Sequence, residues 1–119
     1  MRPDQIEALK RTGVDIVPTM ERFMGNEALY LKCLGKFLAD PNYDCLMKAL
    51  KESDADAAFN ASHTLKGVAS NLGFDKLFIA VKDLVEVFRA GSLDYDPKAL
   101  EHLKNVYKDT TEIVKSVIS

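Results

Sequence analysis

The segment 60–74, NASHTLKGVASNLGF, contains the residues of this chain whose types and spacing could do chemistry. On a helix, Lys66 and Gly67 follow His63 by three and four residues, so the three share one face. The apolar residues of the segment gather on the opposite side, which leaves the imidazole in solvent. A neutral imidazole is a nucleophile near pH 7, and the Lys66 ammonium could neutralise a phosphate beside it. The spacing therefore indicates a candidate nucleophile on an exposed helix face, with a cation beside it that could neutralise a phosphate.

Gly67 strengthens this interpretation, because a mid-helix glycine costs about 1 kcal/mol relative to alanine. At four residues from His63, it removes the Cβ that would crowd the ring and whatever approaches it. A lone histidine on a helix is most often an ordinary surface residue, and a core histidine is disfavoured because the apolar arc faces away. His63, Lys66 and Gly67 together on one face favour a nucleophilic imidazole with a cleared approach.

Further side chains surround His63 at helical spacing: Asp56, Phe59, Asn60, Ser70 and Asn71. Phe59 is an aromatic residue on what should be the wet face. It either packs partly against a neighbouring helix or offers an apolar contact to a docking partner. Asp56 is interpreted as a first-turn acid favoured by the helix dipole.

Helical periodicity runs through the whole chain, and no segment alternates like a strand between hairpin signals. Ser53 and Asp56 resemble a capping box at the start of the central helix, and Gly73 ends it, which places that helix at about 54–72. Short connections favour antiparallel neighbours. The sequence therefore predicts an all-α fold, an antiparallel four-helix bundle with short additional N-terminal helices. We expect residues 1–119 to form one domain. The predicted helices begin near Asp4, Asp15, Asn26, Asn42, Ser53, Asp75 and Asp96.

Composition excludes several classes of function. With 47% hydrophobic and 29% charged residues, the chain should fold. A formal net charge of −2 without a basic tract argues against nucleic-acid binding. We find no signal peptide and no membrane-spanning run, so the expected location is the cytoplasm. Cys33 and Cys45 fall in separate predicted helices and are expected to be free thiols. The polar outer faces of the helices favour a monomer.

The motif S-H-T-L-K-G, with His63, Lys66 and Gly67 as its H-x-x-K-G core, resembles that of histidine-containing phosphotransfer (HPt) domains. The stretch VDIVPTMERFMGNEALYLKCLGKFLAD looks like the N-terminal half of these domains, so the likeness covers the chain from about Val14 onward. Two positions depart from the family pattern. Val68 stands where Ala or Ser is frequent, and Val85 precedes Glu86 where an acidic residue often follows the central Leu directly.

The resemblance implies a phosphorelay intermediate. His63 would accept a phosphoryl group from the aspartate of one receiver domain and pass it to another. These partners would belong to a hybrid sensor kinase and a downstream response regulator. Lys66 would neutralise phosphoryl charge and Gly67 would give steric access, while Phe59, Asn60, Ser70 and Asn71 would contact the partner. No cofactor or metal is expected on this chain, because Mg²⁺ would be bound by the partner's receiver domain. Without a P-loop or another nucleotide loop, the chain would be a phosphocarrier rather than an enzyme.

Three other interpretations stay open. The chain could be a binding-only helical adaptor in which His63 is never phosphorylated. A metal-dependent enzyme using His63, His102 and the cysteines is disfavoured, since no H-x₃-H or C-x₂-C spacing occurs. A phosphoacceptor module of a larger kinase is also disfavoured, because the sequence ends after the last predicted helix.

Overall fold

The computed structural model describes all 119 residues and contains seven α-helices and no strand. The prediction of an all-α protein is therefore confirmed. Most predicted starts lie within a residue or two of those observed. The helices are α1 (Pro3–Lys10), α2 (Ile16–Arg22), α3 (Glu27–Leu38), α4 (Asn42–Lys51), α5 (Ala55–Leu72), α6 (Asp75–Arg89) and α7 (Pro97–Ile118).

Helix α5 contains the predicted site, and its N-terminal cap differs from the prediction. The cap is Asp54, whose carboxylate accepts a hydrogen bond from the Ala57 N–H at 3.0 Å. Ser53 instead has a φ of +54°, a left-handed conformation that non-glycine residues seldom adopt. The capping box of Ser53 and Asp56 was wrong, because the tight turn after α4 uses Ser53 and moves the cap one residue on.

The C-terminal end of α5 is closed by Gly73, as predicted. Gly73 has a φ of +81°, and the following Phe74 N–H donates to the Ala69 carbonyl at 2.9 Å. A Cβ at this glycine would lie 2.5 Å from Thr19 Oγ1. Both the left-handed turn and the close approach of α2 therefore require glycine here.

Two side chains from other helices bind this same end of α5. The Tyr30 hydroxyl donates to the Leu72 carbonyl at 2.8 Å, and Arg22 Nε donates to the Asn71 carbonyl at 3.3 Å. The last carbonyls of a helix have no partner inside the helix. Helices α2 and α3 supply partners for two of them and so fix the end of α5.

The inner face of α5 joins a core of 23 buried apolar side chains. Helix α5 packs most extensively against α4 and α6, and it also contacts α3 and α2. Helix α7 packs against α6, α3 and α1. Helices α3, α5, α6 and α7 thus form a closed ring in which each contacts two others. The residues that α5 buries are Ala58, Ala61, Ser62, Leu65, Ala69 and Leu72.

The two cysteines are free thiols, as predicted: Cys33 is half-buried on α3 and Cys45 is exposed on α4. None of the seven helices has both the length and the apolar character needed to span a bilayer.

Candidate functional site

His63 lies on the outer face of α5, with its side chain exposed. Its neighbours in sequence show how the helix is turned, because Ser62 and Leu65 are buried at 0% and 1% exposure. The Ser62 hydroxyl donates to the Phe59 carbonyl at 3.2 Å, so its burial leaves no hydroxyl without a partner. Burying this stripe directs the imidazole into solvent, as the periodicity predicted.

Lys66 and Gly67 occupy the next turn on the same face. Lys66 is half-buried, and no carboxylate lies within 4.0 Å of its ammonium. Gly67 is exposed, and a Cβ built on it would meet nothing within 4 Å. The packing of this chain therefore does not require glycine at position 67, and the ammonium beside His63 is available to an anion.

Phe59 packs against His63 from the preceding turn. The ring centroids are 5.4 Å apart and the ring planes differ by 22°, which is an offset stack. The Arg89 guanidinium carbon lies 4.8 Å from the Phe59 centroid. Arg89 Nε in turn donates to both carboxylate oxygens of Glu86, at 3.1 and 3.2 Å. The predicted partial packing of Phe59 is thus present, and its partner is the end of α6.

Arg89 was missed by the sequence reasoning. No spacing within one helix places it near His63, because it lies 26 residues further along the chain. The available signal was the short connection at Gly73. An antiparallel α5–α6 hairpin puts the end of α6 beside the start of α5, so the last basic residue of α6 was a candidate neighbour of Phe59.

The remaining predicted contact residues are spread along the exposed face. Asn60 is exposed one turn before His63, and its carbonyl accepts a bond from Thr64 Oγ1 at 2.9 Å. Ser70 and Asn71 are exposed beyond Gly67, two turns from the imidazole. Asn60 thus lies within one turn of His63, whereas Ser70 and Asn71 belong to the far end of the face.

Two surface cavities exist, and neither contains the imidazole. A cavity of about 160 Å³ adjoins the far end of the face, where Val68 and Asn71 meet Cys33 and Lys36 of α3. A larger cavity of about 490 Å³ lies between the end of α1, the start of α6 and α7. The imidazole therefore stands on an open surface, where another macromolecule can reach it.

His102, the second histidine, is exposed on α7 and so lies on a different helix from His63. No group of three or more His, Cys, Asp or Glu side chains is placed to hold a metal ion.

The geometry shows an exposed imidazole with one adjacent cation and an unobstructed approach. Transfer of a phosphoryl group needs more than this, namely an acceptor or donor group and neutralisation of further phosphoryl charge. Such a surface has the features expected of one half of a phosphotransfer site, and an all-helical chain that carries it fits the class of helical phosphocarriers.

Comparison with protein-family models gives a match to the Hpt domain over residues 39–112. The match includes His63, Lys66, Gly67 and Arg89 and covers more than half of the chain. The protein belongs to the Hpt domain family. Comparisons with curated proteins and with solved structures gave no match. That the whole of residues 1–119 forms one such domain stays a prediction.

Membership of this family fixes the general role. Hpt domains carry out histidine phosphotransfer in two-component phosphorelays, and they interact with the receiver domains of response regulators. They are phosphocarrier modules rather than enzymes with an ATP site.

Proposed function

We propose that His63 is the phosphoacceptor, which takes a phosphoryl group from a receiver-domain aspartate and passes it to a second receiver. The observation that carries the proposal is the exposed imidazole of an Hpt-family chain beside an unfilled space at Gly67. An imidazole nitrogen lone pair forms the N–P bond as the acyl P–O bond breaks. The aspartate leaves with its electron pair as a carboxylate, and the reverse reaction loads the second receiver.

Lys66 and Gly67 have separate roles in this proposal. The Lys66 ammonium has no carboxylate partner and would pair with a phosphoryl oxygen as the group arrives. Gly67 leaves room for the receiver's aspartate and its surrounding loops. Mg²⁺ would be bound by the receiver and would neutralise further phosphoryl charge. This chain's part is the nucleophile, one cation and access.

The proposed docking surface is the exposed face of α5, with Asn60 before His63 and Ser70 and Asn71 after it. Phe59, half-buried against Arg89 of α6, lies at the edge of this surface and is not counted among its contacts. The donor would be the receiver of a hybrid sensor kinase, and the acceptor the receiver of a downstream regulator, with the chain acting as a cytoplasmic monomer. The closed ring of α3, α5, α6 and α7 supports the proposal that the four-helix bundle carries this face.

A transfer assay tests the proposal. Receiver domains of the same organism, charged with labelled phosphate in the presence of Mg²⁺, are mixed with the chain, and the label is followed. We expect acid-labile, base-stable label on the wild type and none on His63→Gln. His102→Gln is the matched control, because His102 is also exposed and lies on another helix, and it should take up label normally.

The opposite results would support a binding-only adaptor. In that case no receiver labels the wild type, while His63→Gln binds its partners and signals as the wild type does. Label on both His63→Gln and the wild type would move the phosphoacceptor to another residue.

A further inference from the structure

Phe59, His63 and Arg89 form a layered cluster at the edge of the site. Phe59 precedes His63 by one helical turn, and their rings stack at 5.4 Å between centroids. Arg89 comes from the end of α6 and lies 4.8 Å from the Phe59 centroid. Neither the charge of Lys66 nor the space at Gly67 accounts for this cluster, so its contribution needs a separate explanation.

The stack restrains the imidazole on one side only. Helical side chains lean toward the N-terminus of their helix, so the His63 ring leans toward Phe59 and away from Gly67. The Gly67 side remains open, because even an added Cβ there would touch nothing within 4 Å. An approaching phosphoryl group therefore meets an imidazole that contacts Phe59 on one side and is open on the side of Gly67.

Phe59 is itself held in place. It is half-buried between α5 and α6, with the guanidinium of Arg89 against its ring, an attractive cation–π geometry. Both oxygens of Glu86 bind Arg89 Nε. A continuous series of contacts thus runs from Glu86 through Arg89 and Phe59 to His63.

We propose that Phe59, braced by Arg89, is a positioning residue that holds the His63 imidazole in one orientation for phosphoryl transfer. The inference rests on the proposed function of His63. In-line transfer needs the nitrogen lone pair aligned with the breaking P–O bond. A free helical histidine samples two χ1 wells and a roughly two-fold χ2, so loss of the stack dilutes the reactive orientation about fourfold.

Single-turnover transfer at a series of phosphorylated-receiver concentrations separates positioning from docking. We expect Phe59→Leu to lower the rate at saturation about fourfold and to leave the half-saturating concentration unchanged. Phe59→Tyr keeps the ring and should transfer normally. Arg89→Met should fall between them, and Arg11→Met, an exposed arginine after α1, should have no effect.

Two results would overturn the inference. A raised half-saturating concentration with an unchanged rate at saturation would make Phe59 a docking contact. Wild-type values for both constants in Phe59→Leu would remove any role for the ring. Arg89 is exposed, so Arg89→Met checks the same chain of contacts without disturbing the core.

NMR of the free chain keeps this inference distinct from the proposed function. In Phe59→Leu, the His63 ring protons should lose their ring-current shifts and the χ1 couplings should average, whereas Phe59→Tyr should preserve both. Identical His63 signals in Phe59→Leu and the wild type would refute the positioning role whatever the transfer assay gives. A wild type with an intact stack and no transfer from any receiver would refute the proposed function instead.

Discussion

Replacing Gly67 by alanine should make the protein more stable and less active. A Cβ at this position meets nothing within 4 Å, so the folded chain accommodates it without strain. Helix propensity favours alanine over a mid-helix glycine by about 1 kcal/mol. For a domain of this size, that raises the melting temperature by about 4 °C.

The loss of activity expected from the proposed function has a different cause, because the new methyl group would occupy the space through which the receiver is proposed to reach His63. Misplacing a reacting group by about 1 Å costs up to about 10²-fold in rate. We therefore expect Gly67→Ala to slow transfer about tenfold or more, and Gly67→Leu to block docking while the fold is kept. Thermal unfolding followed by circular dichroism and single-turnover transfer measure the two effects.

Gly35→Ala is the matched control for this experiment. Gly35 lies inside α3, and its Cβ would be in ordinary contact with Ile118 Cδ1 at 4.0 Å. It should gain stability as Gly67→Ala does and transfer at the wild-type rate. If Gly67→Ala transfers as fast as the wild type, glycine is not needed for access. If Gly67→Ala melts at a lower temperature than the wild type, a Cβ at position 67 is in contact with other atoms.

Three further predictions concern charge, capping and pH. Lys66→Ala should slow transfer about tenfold, since a charge-assisted hydrogen bond contributes about 1.5–3 kcal/mol, while Lys104→Ala on α7 should not. Asp54→Ala should cost about 1 kcal/mol in the free energy of unfolding. Ser53→Gly should be neutral or stabilising, because glycine adopts positive φ readily. Burial raises the pKa of Tyr107 to about 12. The folded state therefore disfavours its ionisation, and stability that is complete below pH 10 should be lost as the pH rises toward 12.

For each of these predictions, a specific result would contradict the reasoning. Equal slowing by Lys66→Ala and Lys104→Ala would indicate a general charge effect rather than a contact with phosphate. Chemical denaturation measures the free energy of unfolding of both variants. A larger loss in Ser53→Gly than in Asp54→Ala would indicate that Ser53 is the N-cap of α5. Tyr107→Phe should lose less stability between pH 10 and 12 than the wild type, and identical losses would assign the alkaline transition to other groups.

The exposed face of α5 could be predicted from the sequence, because the same helical periodicity applies along the whole helix and assigns each residue to one face. Once Leu65 and Ala69 are placed inside, the direction of His63 and Gly67 follows. The N-cap of α5 could not be chosen from residue types alone, since Ser53 and Asp54 are both good capping residues. The geometry of the turn decides between them. Periodicity does not report φ, so that choice needed the structure.

Contacts between helices could not be predicted from the spacing of residues within a single helix. The sequence left Phe59 with two interpretations, because its surroundings depend on how α6 returns along α5. The stack on His63 follows from residues one turn apart, but the guanidinium over the ring depends on where α6 ends. Arg89 therefore became visible only with the tertiary structure.

The hydrogen bonds from Tyr30 and Arg22 to the end of α5 have a consequence for any shortened version of this protein. The residues that match the family model begin at Ala39, after α3 has ended, so both donors lie outside them. A fragment cut to that match would leave the Leu72 and Asn71 carbonyls to water, and it would also lose α3, one of the four helices of the closed ring. Amide hydrogen exchange should then become faster along the whole of α5, and most of all around Ser70.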